Sequence, residues 1–590
     1  MEAGVAKRLM SGNEAIARGA WEAGVSFATG YPGTPSTEVL ENLSTYEGVT
    51  AQWATNEKAA FEEGMGAALG GVRTLVTMKH VGLNVAADPF MVFPYAGTNA
   101  GFVVLVADDP GMYSSQNEQD SRYLAKVAKV PVLEPSDAAE AREMLAFAFE
   151  LSERFATPVM FRTTTRLAHT RSVVDVEARV EHERKPFEKN PRRFAIPVYA
   201  AFRRPELEAK LGRLRDFAET YEGNFIEEGD PKVGIVTHGT PYQYVKEMAP
   251  EATVLRLGMV HPLPEKMLKE FCSRFETVFV VEESEGFIQE GMAALGILNV
   301  VGKERFTNIG ELSADLVGRG LGGAQVPEAF GGEVALLPRP PRVCAGCPHS
   351  GTFSALRKLR VLVTGDIGCY TLGCIPPLSA VDTTFCMGAS IGNATGFMRA
   401  GEERVVAVIG DSTFLHGGLP GLLSAVYNKV PITVLILDNG TTGMTGHQDH
   451  PGTGRTLQKE PAPAVDIEGL VRAMGVQHVA VVDPWELKNM RKAVKEALAH
   501  PGPAVVIARR ACVLLPEERA QDRVPYRVIE ENCIQCNYCM ESGCPALVMA
   551  GEYPAIREWE CIGCTICAQL CPVDAILPVE DATAVPAGRA

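Results

Sequence analysis

The stretch VVAVIGDSTFLHGGLPGLLSAVYNKVPITVLILDNG, residues 405–440, decides the fold class. An unbroken apolar run ends in Gly410-Asp411, a glycine-rich turn and a helical pattern follow, and a second apolar run ends in Asp438-Asn439-Gly440. Apolar runs that do not alternate read as strands covered on both faces, and strands separated by helices pair in parallel, so the segment is α/β. Its polar residues sit at the carboxyl ends of the strands, where open sheets of this kind bind ligands. The apolar runs VLVTGDIG (361–368) and AVVIARRA (504–511) extend the same sheet, and residues 340–515 form one domain.

The same rhythm recurs upstream. Residues 1–175 alternate helical patterns with short strands, among them VSFATG (25–30), RTLVTMK (73–79) and GFVVLVADDPG (101–111), and read as a second α/β domain. A charged, proline-containing stretch at 176–229 reads as a linker with a helix, and 230–325 returns to strand and helix with KVGIVTHGT, ATVLRLG and TVFVVEES. A proline-rich break, LLPRPPRVCAGCPH, opens the third domain, and residues 525–590 close the chain.

Composition narrows the function classes. With 72 acidic against 56 basic residues the formal net charge is −16, which gives no support to a nucleic-acid partner. No apolar run approaches membrane-spanning length and the N-terminus shows no cleavable signal pattern, so a cytoplasmic protein is expected, with its thiols reduced.

Eight of the 15 cysteines lie in the last tenth, in CIQCNYCMESGC (533–544) and CIGCTICAQLC (561–571), each followed by proline. Three cysteines at two-residue spacing and a fourth before proline are the ligand run of two-cluster ferredoxins, in which the fourth ligand crosses to the other cluster. One [4Fe-4S] cluster then takes Cys533, Cys536, Cys539 and Cys571, and the other Cys561, Cys564, Cys567 and Cys544. The first run has one residue more than the standard spacing before Cys544. Zinc calls for pairs rather than triples, and a reduced compartment argues against disulfides.

Residues 410–441 resemble the thiamine diphosphate motif, which runs from Gly-Asp to Asn across a helix and a strand. Ser412 and Asp438 depart from its usual residues. The resemblance implies that Gly410 and Asp411 contact the cofactor and that Asp411, Asn439 and the carbonyl of Thr441 hold Mg²⁺, a hard cation that takes oxygen ligands. Turn chemistry at strand ends is the bland alternative. Together the modules are similar in content and order to the large subunits of indolepyruvate:ferredoxin oxidoreductases, within the 2-oxoacid:ferredoxin oxidoreductase family.

That resemblance implies thiamine-diphosphate-binding doubly wound domains, a transketolase-C-like α/β domain at 230–325 and a two-cluster ferredoxin domain. It also implies oxidative decarboxylation of aryl-pyruvates with coenzyme A and ferredoxin; another 2-oxo acid, or a non-oxidative thiamine carboligase or decarboxylase, stays open. By resemblance Glu57 activates the cofactor, although a helix-terminus glutamate stabilised by the dipole would look the same. Thr34, in Tyr31-Pro32-Gly33-Thr34-Pro35, would reach the substrate. Lys79 and His80 either assist the substrate carboxylate or form a solvated loop.

The family pattern further implies a third cluster on Cys344, Cys347, Cys369 and Cys512, against which packing and a structural zinc remain. It implies a smaller beta subunit carrying the coenzyme A-associated domain, in an assembly of two large and two small chains.

Overall fold

The computed structural model describes residues 6–187, 189–190, 193, 195–322 and 340–579. The chain divides into two compact units, Met1–Val334 and Ala335–Ala590. Most of the proline-rich break and the end of the 525–590 segment lie outside the described residues.

The first unit holds two sheets. A seven-stranded sheet runs Met259–His261, Val132–Leu133, Val159–Thr164, Phe102–Asp108, Thr74–Lys79, Phe27–Gly30, Thr50–Trp53. Its pairs are parallel except the first, which is antiparallel. Phe102–Asp108 is buried along its whole length because helices cover both faces, and that is why its sequence lacks alternation. The second sheet runs Val300–Val301, Val278–Val281, Asp230–His238, Ala252–Leu257, Phe225–Glu227. Two short strands depart from the expected sharing of segments. Phe225–Glu227, in the stretch read as linker, pairs antiparallel with Val254–Arg256, and Met259–His261 crosses to the seven-stranded sheet. Three residues carry too little pattern to declare a partner sheet.

Between these sheets lies a charged core that periodicity does not reveal. Arg162 donates to Asp108 Oδ2 at 2.6 Å and to Glu134 Oε1 at 2.5 Å; Arg122 pairs with Asp120 and, at 3.2 Å, with Glu282. His238 Nδ1 lies 3.1 Å from Glu134 Oε2, and every one of these side chains is buried. Buried charges persist only when paired, so each arginine serves more than one carboxylate.

The second unit carries a five-stranded parallel sheet, Leu362–Thr364, Val405–Gly410, Thr433–Asp438, Ala504–Arg509, His478–Val482. The cysteine-rich tail packs against it as two small antiparallel ladders, Tyr526–Val528 with Ile576–Pro578 and Leu547–Ala550 with Tyr553–Ile556. The architecture is α/β with parallel sheets, as the apolar runs indicate. Among the described residues no helix is long and apolar enough to cross a membrane.

Replacing Arg162 by Leu leaves Asp108 and Glu134 buried without their cation, which costs about 3–5 kcal/mol. Amide exchange in strands Phe102–Asp108 and Val159–Thr164 should lose protection by that amount; unchanged protection would contradict this account of the charged core.

Candidate functional site

In the second unit, strand Val405–Gly410 delivers Asp411 into a helix with no intervening turn. Residues 411–413 are α-helical, Phe414–Gly418 widen into a π-helical turn, and Leu419–Tyr427 continue as α-helix. The glycine-rich turn of the sequence reading is therefore a π turn inside a helix, a feature that recurs at functional sites. The glycines permit close approach, because a Cβ on Gly388 would stand 2.8 Å from the Gly417 carbonyl.

Asp411 and Asn439 come together at neighbouring strand ends. Asp411 Oδ2 accepts the Gly440 N–H at 2.8 Å and Oδ1 accepts the Ser412 N–H at 2.8 Å, while Asn439 Oδ1 accepts the Thr441 N–H at 3.2 Å. Asp411, Asn439 and Thr441 are all buried. Asp438 stands beside them with its carboxyl raised, by burial first and by the Asp411 charge second, although its Oδ2 accepts from Arg509 Nε at 2.7 Å. The buried Asp411 carboxylate and the Asn439 amide oxygen are the kind of oxygen donors a hard divalent cation takes. A wall around it escaped the sequence reading. His450 Nε2 lies 3.3 Å from Asp411 Oδ2, and burial pulls His349 down to about 4 although Asp411 opposes the shift. Asp366, raised to about 6 chiefly by burial, accepts from Tyr370 and, at 2.7 Å, from Ser390. The only sequence signal for His349 was its place next to Cys347-Pro348.

Cys344, Cys347, Cys369 and Cys512 face one another across the same sheet edge. Burial drives the Cys347 thiol far above its ordinary range, and Cys369, Cys344 and Cys512 each add to the rise. Cys369 is pushed up to about 11, again by burial first and then by Cys512 and Cys344. Cys369 opens a 3-10 turn, Cys369–Cys374, beyond the strand Leu362–Thr364. Cys374 and Cys386 are exposed.

The tail forms two cavities. One is lined by Cys533, Cys536, Cys539 and Cys571; the other by Cys544, Cys561, Cys564 and Cys567. The chain thus groups the cysteines in the crossed sets that the spacing implies. Among the described residues no three metal-ligating side chains converge on one ion.

In the first unit, Glu57 begins helix Glu57–Leu69, which Asn56 caps by accepting the Ala59 N–H at 2.8 Å. Glu57 is buried beneath Gly82, where a Cβ would come within 2.7 Å of Glu57 Oε1, so the carboxylate occupies a space only glycine leaves. The Lys79-His80 pair is not a solvated loop: both side chains are buried. Lys79 Nζ donates to the Ser114 carbonyl at 2.9 Å, Ser114 Oγ donates to the Thr34 carbonyl at 3.0 Å, and the Lys79 stem lies under Gly33. Thr34 and Lys79 therefore share one nest. Burial pulls Lys79 down to about 8, against the charges of Asp109 and Glu57. Burial also acts to raise Asp109, but hydrogen bonds from Thr165, Ser115 and Ser114 outweigh it and hold the carboxyl low.

Residues 18–222 match the family model "Pyruvate flavodoxin/ferredoxin oxidoreductase, thiamine diP-bdg". Residues 366–508 match "Thiamine pyrophosphate enzyme, C-terminal TPP binding domain", and 526–572 match "4Fe-4S dicluster domain". The indolepyruvate oxidoreductase subunit IorA of Archaeoglobus fulgidus is 41% identical over 97% of this chain and 98% of its own. That of Methanothermobacter marburgensis is 43% identical over 98% of each. The chain belongs to the IorA family. A solved 2-oxoglutarate:ferredoxin oxidoreductase from Magnetococcus marinus has 19% identity and a TM-score of 0.47 over 53% of this chain and 64% of its own. As an IorA family member the chain is an oxidoreductase subunit with thiamine-diphosphate-binding domains and an iron-sulfur tail. The family's coarse activity is 2-oxoacid oxidoreduction with ferredoxin.

The two cavities make the crossed grouping testable. Cys571→Ser should remove the same EPR-detectable cluster, about four irons, as Cys536→Ser, and Cys544→Ser the same one as Cys564→Ser. Loss of the second cluster in Cys571→Ser would reverse the grouping.

Proposed function

We propose that this IorA family chain is the catalytic large subunit of a cytoplasmic enzyme that oxidatively decarboxylates aryl-pyruvates such as indolepyruvate. The products are aryl-acetyl-CoA and CO₂, and two electrons leave one at a time for ferredoxin. The observation that carries this is the placement, in one compact unit, of a buried Asp411–Asn439 site, a ring of four cysteines beside it and two further cysteine cavities. A non-oxidative thiamine enzyme has no use for the cysteines. That the relatives are indolepyruvate oxidoreductase subunits supports the aryl-pyruvate substrate.

Asp411, Asn439 and the Thr441 carbonyl would hold Mg²⁺, and Gly410 with the π turn would face the diphosphate with backbone N–H groups. Bound thiamine diphosphate supplies the electron sink that lets a 2-oxo acid lose its carboxylate. Glu57 would exchange the proton on the aminopyrimidine side, in the space that Gly82 leaves. Thr34 would present its hydroxyl to the substrate, and the Lys79 ammonium would receive the substrate carboxylate. Cys344, Cys347, Cys369 and Cys512 would hold a third [4Fe-4S] cluster, and exit would be through the Cys533 set. There Cys536 is exposed and Ile534 and Tyr538 are 61% and 53% exposed. A smaller subunit would supply the coenzyme A-associated domain, two of each chain forming the complex.

Glu57→Gln should retain thiamine diphosphate while turnover falls by about 10²–10⁴, the range for a general acid-base group; near-normal turnover would leave Glu57 a helix-terminus residue. Lys79 is charged below its pKa, so carboxylate binding is at full strength under about pH 8 and is lost above it. KM for the 2-oxo acid should therefore rise with pH through that value in the wild type and stay flat in Lys79→Arg. A profile unchanged in Lys79→Gln would remove Lys79 from the substrate site. The anaerobically prepared complex should carry about twelve irons per large chain, four to a cluster, and Cys344→Ser with Cys347→Ser about eight. Eight irons in fully active wild type would mean these cysteines only pack.

A further inference from the structure

Strand Phe102–Asp108 ends one residue before Asp109, whose buried carboxylate collects donors from three residues. Oδ1 accepts the Thr165 hydroxyl at 2.6 Å, from the end of the neighbouring strand. Oδ2 accepts the Ser115 hydroxyl at 2.7 Å and the Ser114 N–H at 2.8 Å. The Ser114 hydroxyl stands 3.3 Å from the same oxygen but only 3.0 Å from the Thr34 carbonyl, and its single proton goes to the nearer partner. Residues 110–119 form neither helix nor strand, so their path depends on side chains of this kind.

The loop has two faces. Tyr113 turns outward, its hydroxyl donating to Glu311 Oε2 at 3.1 Å, while the Ser114 carbonyl turns inward and accepts Lys79 Nζ at 2.9 Å. The Asn117 carbonyl stands 3.2 Å from His80 Nε2. At the neck, Glu118 Oε1 accepts the N–H groups of Gly111 and Gly310, each at 2.9 Å. The neck is therefore closed without Asp109, which governs where Ser114 and Ser115 lie. An ammonium has three donors, and the Ser114 carbonyl, by taking one, aims the other two. The charged groups that act on Lys79 are Asp109, from the strand end, and Glu57, from helix Glu57–Leu69. The Gly33-Thr34 turn and residues 114–117 meet it with uncharged groups.

We infer that Asp109 is a positioning residue for the substrate carboxylate: by holding Ser114 and Ser115 it places the carbonyl that aims Lys79. This rests on the proposed reading of Lys79 as the residue that receives that carboxylate. Two effects of Asp109 oppose each other. Its negative charge repels a substrate carboxylate, but the hydrogen bonds it accepts are charge-assisted and fix the loop that presents the ammonium. The second prevails, because the loop has no regular structure to replace those bonds. An asparagine at 109 keeps the shape, and its amide oxygen can still accept from Thr165. Its NH₂ group cannot accept from Ser114 and Ser115, so the tip of the loop is released. The charge has a further consequence. Burial already pulls Lys79 down to about 8 with Asp109 opposing, so neutralising Asp109 lets Lys79 lose its proton at lower pH.

The test is steady-state kinetics of the anaerobically prepared two-subunit complex with indolepyruvate, over a pH range that spans the loss of charge on Lys79, as wild type, Asp109→Asn and Ser115→Ala. In Asp109→Asn, KM at neutral pH should rise about tenfold, the scale of a lost charge-assisted hydrogen bond, while kcat stays near the wild-type value. The climb of KM with pH should also begin at lower pH than in the wild type, a change that a purely structural defect does not produce. Ser115→Ala removes one hydrogen bond and keeps the charge, so KM should rise about threefold with the climb at its wild-type pH. A KM that is unchanged or lower in Asp109→Asn, or a climb that has not moved, would overturn the inference. Should Asp109→Asn fail to assemble, Ser115→Ala decides, and an unchanged KM there overturns it equally. A wild-type KM that does not climb with pH removes Lys79 from the substrate site and takes the inference with it, a failure seen without any variant.

Discussion

In the second unit the cysteine-rich tail seats closely on the turn at Gly346, where a Cβ would stand 2.1 Å from Ile562 Cδ1. The iron-sulfur tail packs on the thiamine-binding domain through Trp485, Leu487, Val513 and Ile566. Trp485, Arg510 and Gln569 lock that contact with an indole hydrogen bond, a stacked guanidinium and a side-chain amide. The grip has a physical reason. Electron transfer between buried centres weakens steeply with separation, and a module on a flexible linker would spend most of its time too far away. Exposed surface then falls on the Cys533 set, where Cys536, Ile534 and Tyr538 are exposed.

The chain buries charge under two regimes. Between the sheets of the first unit, Arg122 and Arg162 neutralise a surrounding group of carboxylates and shape a rigid base. At the strand ends the balance is left incomplete. Burial pulls Lys79 down while Asp109 and Glu57 oppose it, and the Asp411 charge helps to raise Asp438 even though Arg509 pairs with it. Such poised groups mark sites that await charge from a ligand, whereas a fully paired network is structural.

Much of this was legible in the sequence. The strands of all three main sheets stand out because double burial removes alternation, as in VVAVIG and FVVLVAD. The cysteine sets follow from spacing, since a chain wrapped round a small object must present ligands at short intervals. What escaped depends on contacts between distant residues. The strands Phe225–Glu227 and Met259–His261 are too short to show a period, and the π turn at Phe414–Gly418 has no propensity signature apart from its glycines. The burial of Lys79 and His80 comes from the loop at Ser114–Asn117 closing over them, far along the chain. His349 and His450 carry no motif of their own, and only the folded sheet edge brings them to Asp411.

The central claim is that bond cleavage in the 2-oxo acid is coupled inside this chain to reduction of its own clusters. Freeze-quench EPR on the anaerobic two-subunit complex, mixed with indolepyruvate in the absence of any external acceptor, tests it most directly. The account expects a reduced [4Fe-4S] signal to appear within the first turnover and CO₂ release to stop once the clusters are full. Continued CO₂ release with the clusters still oxidised would contradict it and point to a non-oxidative decarboxylase.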